Sequence, residues 1–113
     1  MTYTYQVTRP LSAYFAKESD GPRLSILLAV TPHRTAESTA WMWMAMNYAN
    51  ETPAEDLRTW QDQIVAQDLP VVESQRPELL PLDLQAELHL RSDRTAVAYR
   101  KWLAEVGLTF GTA

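Results

Sequence analysis

The chain has 113 residues and a formal net charge of −4, which leaves room for one domain with one modest hydrophobic core. The acidic balance argues against nucleic acid or an anionic membrane as the main partner, and no apolar run approaches the roughly 20 residues that a membrane span requires. Because the chain has no cysteine, disulfides and thiolate metal sites are excluded. The absence of disulfides is compatible with a cytoplasmic location, which we take as the expectation.

The first half of the chain has the composition and periodicity of β-strands. Most residues of Thr2–Ala16 are β-branched or aromatic, with Tyr3, Tyr5 and Val7 on one side of the alternation, which indicates strand structure. Because Pro10 cannot donate to a ladder, this stretch is either an edge strand or bends there. The turn signal Glu18–Pro22 separates this stretch from Leu24–Val30, which is apolar enough for a strand covered on both faces. The segment Thr31–Thr39 begins with Thr-Pro and is polar, so we expect a loop there.

A third strand is predicted over Ala40–Tyr48, and the short connections favour antiparallel pairing. Its methionines could line a substrate pocket, since Met adapts to irregular apolar ligands, although such a row is more often ordinary core. The tryptophans on the other face could be the second side of a covered strand or an exposed patch left by missing neighbours, and in the second case we expect a dimer or a higher oligomer. The methionine row is Met42, Met44 and Met46, and the opposite row is Trp41, Trp43 and Ala45.

The second half of the chain changes to helical periodicity. Thr52–Glu55 combines an N-cap threonine, a proline at the first helical position and a glutamate that closes a capping box. We expect the helix to span about 53–68, because Pro70 disfavours helical geometry in the residue before it. The stretch Leu69–Leu84, which contains three prolines, is then expected to be extended and to cross the surface of a larger protein.

A last helix is predicted over about 93–106, with Gly107 as its C-cap. We expect Tyr99, Arg100 and Trp102 to pack this helix onto the sheet. The predicted fold is therefore α+β. It is a single domain over residues 1–113, with antiparallel strands within about 2–48 followed by two helices.

One carboxylate conflicts with the helical pattern. Asp68 falls one turn after Ile64, on the apolar side of the first helix and in its last predicted turn. Burial disfavours the charged form, and the helix dipole repels an anion there by about 0.3–1 kcal/mol. A bound cation, a nearby Arg76 or Arg91, or fraying that exposes the carboxylate would each offset this cost. The apolar side is defined by Leu57, Trp60, Gln61, Ile64 and Val65.

Two segments resemble the C-terminal part of Rieske-type ring-hydroxylating oxygenases, especially the aromatic O-demethylases and pheophorbide-type oxygenases. Ile64–Gln75 (IVAQDLPVVESQ) resembles a run of the form (E/Q)-D-x-x-(V/I)-(V/I)-E-x-Q, and Tyr99–Leu103 (YRKWL) resembles a terminal YR(R/K)WL. In that family the aspartate of the run completes a two-histidine, one-carboxylate site for mononuclear iron. The resemblance assigns that ligand role to Asp68, with Glu73 and Gln75 as polar groups behind it.

The resemblance also implies a fold and partners. The family's catalytic domain is similar to the helix-grip fold of lipid-binding proteins, in which a sheet wraps around a long helix and an apolar cavity. The implied cofactor is mononuclear Fe(II), whose facial triad leaves coordination positions open for oxygen and substrate. The implied partners are a small aromatic or apolar substrate and a reductase or ferredoxin. A homo-oligomer is expected.

The sequence lacks most of the residues that bind iron in the family. The family's two histidine ligands lie upstream of the aspartate in one helix, whereas this chain has only His33 and His89. We expect His33 to be a solvated loop residue and His89 to be hydrogen-bonded. Without cysteine the chain cannot hold the [2Fe–2S] cluster. We therefore expect no bound iron and no activity from this chain alone, whether it is part of a longer oxygenase or a free-standing helix-grip module that binds an apolar ligand without metal.

Overall fold

The computed structural model describes residues 1–109 and contains a four-stranded antiparallel sheet followed by helices. The strand order β1-β2-β3-β4 is that of a meander, in which each strand pairs with the next one along the chain. This architecture confirms the predicted α+β class and antiparallel sheet. The predicted domain extends to residue 113, and its last four residues, 110–113, lie outside the described residues. The elements are β1 (Thr2–Arg9), β2 (Ser12–Glu18), β3 (Arg23–Arg34), β4 (Glu37–Met46), α1 (Ala54–Glu73), a 3-10 turn (Arg91–Asp93) and α2 (Arg94–Glu105).

The strands form tighter hairpins than the sequence predicted. The stretch Thr2–Ala16 bends at Pro10, which was one of the two alternatives: the chain reverses at Pro10 and Leu11, where Leu11 adopts a positive φ of 63°, and the stretch forms two strands. The prediction of a loop at Thr31–Thr39 is wrong, because β3 and β4 stay paired up to the Arg34–Glu37 pair. Threonines favour extended backbone. Pro32 is tolerated in β3 because it lies beside the register shift between Pro32 and Arg34.

The alternation along β4 places its two rows of large side chains on opposite faces, as predicted. Trp41 and Trp43 are 53% and 55% exposed, so this face of the strand is open to solvent. Met42 is exposed, whereas Met44 and Met46 are half-buried. Their row continues onto β3, where Met42 pairs with Leu28 and Met44 with Ile26, which gives the sheet a continuous apolar face.

Helix α1 is longer than predicted and begins differently. It continues to Glu73 with Pro70 inside it, because a proline this close to the end removes few backbone hydrogen bonds. Its N-cap is Pro53, in an extended conformation (φ −55°, ψ 141°) and without a side-chain cap. The predicted capping role of Thr52 is therefore wrong, since the helix begins one residue later than the box requires.

Helix α1 does not pack on the sheet in the described part of the chain. No Cα atom of α1 lies within 8 Å of one in another strand or helix, and no residue of the helix is fully buried. Its predicted apolar stripe is half-covered at Leu57, Ile64 and Val65, while Trp60 is 49% exposed. The helix-grip arrangement, in which the sheet holds this helix, stays a prediction.

Helix α2 lies against β1 and closes the small core. The backbone N–H of Leu11 donates to the Tyr99 hydroxyl over 3.0 Å, which ties the first hairpin to the helix. The buried apolar side chains of the described residues are Ala16, Leu103 and Pro81, of which Pro81 is fully buried. No helix in the described part of the chain is long and apolar enough to cross a membrane.

Candidate metal centre

The candidate ligand Asp68 lies on α1, at the end of a row of side chains that are only partly buried. Leu57, Gln61, Ile64 and Asp68 follow one another at spacings of three or four residues, so they share one face of the helix. The first three are half-buried, but Asp68 is exposed. The predicted orientation therefore agrees with the helix geometry, while the cover that would bury the carboxylate is not supplied by residues 1–109.

Neither candidate arginine neutralises Asp68. The Arg76 guanidinium donates to the carbonyl oxygens of Glu73 (3.1 Å) and Gln75 (2.7 Å) and lies 3.7 Å from the Glu78 carboxylate. The ion pairs of the described residues include neither Asp68 nor Arg91. Because α1 continues past Asp68 to Glu73, the carboxylate is exposed to solvent without any fraying of the helix.

The polar groups predicted to support Asp68 serve the end of the helix instead. The Gln75 side chain donates from Nε2 to the Val71 carbonyl oxygen (3.1 Å), as does the Ser74 hydroxyl (2.8 Å). These bonds satisfy a carbonyl that the end of the helix leaves without a backbone partner. Glu73 is exposed as the last helical residue. In the described residues the structure therefore places Glu73 and Gln75 after Asp68 but joins neither side chain to it.

The two histidines lie apart from Asp68 in the chain and differ from each other in environment. His33 is exposed near the end of β3 rather than in a loop, and its Nε2 lies 2.7 Å from the Thr39 hydroxyl. His89 is half-buried, and its Nε2 atom is buried without the hydrogen-bond partner that we expected. Residues 1–109 contain no group of three or more metal-binding side chains. The residues present therefore fit one ligand of an iron site and not a complete site.

The methionine row lines an open sheet face rather than a closed cavity. Two open grooves, with volumes of about 270 and 390 Å³, lie beside α2. The smaller is lined by Leu90, Val97 and Ala98 between Arg94 and Lys101. Neither groove is lined by the methionines, so their role in substrate binding stays a prediction.

A buried ion pair was missed by the sequence analysis. Arg100 is only 9% exposed; its Nη2 donates to the Glu87 carboxylate (2.8 Å) and its Nη1 to the Ala96 carbonyl oxygen (3.0 Å). The prediction that Arg100 packs α2 onto the sheet is therefore replaced by this pairing, which joins α2 to the segment that precedes it. The sequence contained a signal: Arg100 lies between Ala96 and Leu103 on one helical stripe.

Comparison with known proteins identifies the class of protein. The sequence profile of the vanillate O-demethylase oxygenase C-terminal domain matches residues 1–108. The chain therefore belongs to that family and is the C-terminal part of a Rieske-type oxygenase, as the motifs around Asp68 and Tyr99 predicted.

One curated relative is described as a demethylase. A curated protein described as a probable methylxanthine N7-demethylase, NdmC of Pseudomonas sp. (strain TJI-51), is 35% identical over 116 residues. That match covers 99% of this chain and 40% of the relative, so the chain spans well under half the length of the curated relative.

Proposed function

We propose that this chain forms the C-terminal part of the catalytic domain of a Rieske non-haem iron oxygenase, and that Asp68 is the carboxylate ligand of its mononuclear iron. The observation that carries the proposal is the position of Asp68. It lies on the row of α1 that also holds Leu57 and Ile64, within the run Ile64–Gln75 that resembles the family's ligand motif. A carboxylate on an apolar helix face is stabilised when a cation faces it.

The chain would contribute one ligand, and the rest of the enzyme the others. Asp68 is exposed and free of ion pairs among the described residues, so both oxygens are available to a metal brought to it. Two histidines from elsewhere in the longer protein would complete the facial triad, which leaves coordination positions on iron for oxygen and substrate. Glu73, the last residue of α1, and Gln75, which lies one residue past the C-cap Ser74, would be the polar groups behind the ligand.

The substrate would be a small aromatic or otherwise apolar molecule, oxidised or demethylated. The continuous apolar sheet face that includes Met42, Met44 and Met46 supports this class of substrate, since thioether side chains adapt to flat apolar ligands. It would become a pocket wall if α1 closed over it in a helix-grip arrangement. Electrons would come from a reductase or ferredoxin through the [2Fe–2S] cluster of the longer protein, and the soluble enzyme would act in the cytoplasm.

The ligand assignment is tested in the longer protein that contains this chain. Asp68→Ala removes an exposed carboxylate that forms no ion pair within residues 1–109, so the fold of the segment should persist while mononuclear iron is lost. The matched control is Asp62→Ala, which removes an exposed carboxylate from the same helix, opposite the Asp68 row. Iron analysis should show loss of the mononuclear metal only in Asp68→Ala. Full iron content and turnover in that variant would refute the assignment.

The alternative function is a free-standing helix-grip module that binds an apolar ligand without metal. The open apolar sheet face supports it as well as it supports an oxygenase. The reading frame immediately upstream of Met1 separates the two: C-x-H and C-x-x-H motifs followed by a two-histidine helix favour the oxygenase, whereas a stop codon favours the module. For the 113-residue chain alone, Fe(II) should leave the melting temperature unchanged, and a large upward shift would contradict the view that its iron site is incomplete.

A further inference from the structure

The turn between β1 and β2 holds a leucine in a backbone conformation that favours glycine. Pro10 and Leu11 are the two residues between the paired Arg9 and Ser12, and Leu11 has a φ of 63°. A proline followed by a positive φ is the pattern of a type II turn, whose second central position is normally glycine or asparagine. Because the Cβ of leucine crowds the following carbonyl oxygen in this conformation, the turn is strained.

Both backbone polar groups of Leu11 are bonded to other elements. Its N–H donates to the Tyr99 hydroxyl of α2 over 3.0 Å, and its carbonyl oxygen accepts the N–H of Val30 in β3 over 2.8 Å. The bond that closes a type II turn joins the residues on either side of the two central ones and uses neither of these groups. A strained conformation persists only where its surroundings hold it, and these two bonds supply such a restraint.

A packed ring presents the Tyr99 hydroxyl to the turn. Tyr99 is half-buried on α2, and its ring lies edge-on to that of Trp102, with 6.5 Å between the ring centroids. The hydroxyl is the side-chain atom that joins α2 to the sheet by a hydrogen bond in residues 1–109. Its position is therefore fixed by the helix and not by the turn.

We infer that the Tyr99 hydroxyl is a clamp that holds Leu11 in its left-handed conformation and thereby couples the shape of the first hairpin to the docking of α2 on β1. Without the clamp the Leu11 N–H has no partner, and the strain favours an ordinary backbone conformation. The carbonyl oxygen of Leu11 then turns away from Val30, and that hydrogen bond breaks. The clamp also fixes one wall of the groove of about 390 Å³ beside α2, which is lined in part by Val7, Tyr99 and Trp102.

The clamp is independent of the iron ligand, because Asp68 and α1 take no part in it. It is tested in the longer protein that contains this chain, by hydrogen–deuterium exchange at the Val30 amide, measured by mass spectrometry with fragmentation to single residues. Tyr99→Phe keeps the packed ring and removes the hydroxyl, so exchange at Val30 should become more than about tenfold faster. Tyr5→Phe is the matched control, because it removes the hydroxyl of an exposed tyrosine on β1; it should leave the rate unchanged.

The strain is tested separately by removing its cause. Glycine adopts a positive φ without steric cost, so the double variant Leu11→Gly/Tyr99→Phe should return exchange at Val30 to within about twofold of the wild-type rate. Leu11→Ala/Tyr99→Phe also removes the leucine side chain but keeps a Cβ, so its exchange should stay fast. Unchanged exchange in Tyr99→Phe would overturn the clamp. Equally fast exchange in the glycine and alanine double variants would overturn it too, because no strain at Leu11 would then be held.

Discussion

The ion pair between Arg100 and Glu87 gives a stability prediction with a built-in comparison. The Arg100 side chain is 11% exposed and Glu87 is 29% exposed, with 2.8 Å between Nη2 and Oε2. Glu87→Gln keeps the size of the side chain but leaves the guanidinium of a mostly buried arginine without its counter-charge. Hydrogen bonds to charged groups contribute about 1.5–3 kcal/mol, and Glu87 retains some access to water. We therefore expect the free energy of unfolding to fall by about 2 kcal/mol.

The matched control is Glu37→Gln at the exposed pair with Arg34. That pair is 3.9 Å long, and its side chains are 82% and 62% exposed. Exposed pairs of this kind contribute less than about 1 kcal/mol. Thermal or urea unfolding of both variants measures the difference, and a shift of roughly 8–16 °C is expected for Glu87→Gln in a domain of this size. Equal losses in the two variants would refute the reasoning from burial.

Two further predictions concern the hairpin and α1. The Asn47 side chain accepts a hydrogen bond from the Arg23 N–H (2.7 Å) and donates one to the Gly21 carbonyl oxygen (2.8 Å), so Asn47→Ala should lower the free energy of unfolding in urea by about 1–2 kcal/mol. The control Asn50→Ala, which removes an exposed amide nearby, should lower it by less than about 0.5 kcal/mol. Equal losses would show that these bonds do not hold the hairpin. Pro70→Ala should raise the helical circular dichroism and stabilise α1 by roughly 1 kcal/mol, because alanine restores the missing backbone donor. An unchanged or reduced helical signal would show that the missing donor does not limit the helix.

The elements that were predicted well are those that depend on local pattern. The alternation of Trp41, Met42 and Trp43 specifies the two faces of β4 whatever surrounds it, because the strand repeat is two residues. The positive φ of Gly107 (88°) just past α2 likewise follows from residue type, since glycine adopts this C-cap conformation readily.

The errors arise where neighbouring residues override a local rule. Pro70 was expected to end α1, but only a few backbone bonds remain beyond it, so the helix continues through it to Glu73. The polar segment Thr31–Thr39 was expected to be a loop, but pairing across the hairpin extends both strands. The partner of Arg100 could not be read from periodicity, since Glu87 lies in an irregular segment 13 residues earlier.

The candidate site was predictable only in part for a similar reason. Helical spacing is a property of the sequence, so the row that Asp68 shares with Ile64 could be predicted. Its cover depends on what else packs on α1, and residues 1–109 supply little of it. The chain matches only 40% of the relative's length, so the iron ligands that would face Asp68 are sought outside this segment.

The central claim is that Asp68 binds iron, and its most direct test is an anomalous-scattering map at the iron edge from crystals of the longer oxygenase that contains this chain. We predict an iron peak bonded to an Asp68 carboxylate oxygen, at about 2 Å as for other carboxylate ligands of divalent metals, with two histidines from outside residues 1–113 completing the site. A mononuclear iron peak bonded to other ligands, with the Asp68 carboxylate in solvent, would contradict the claim.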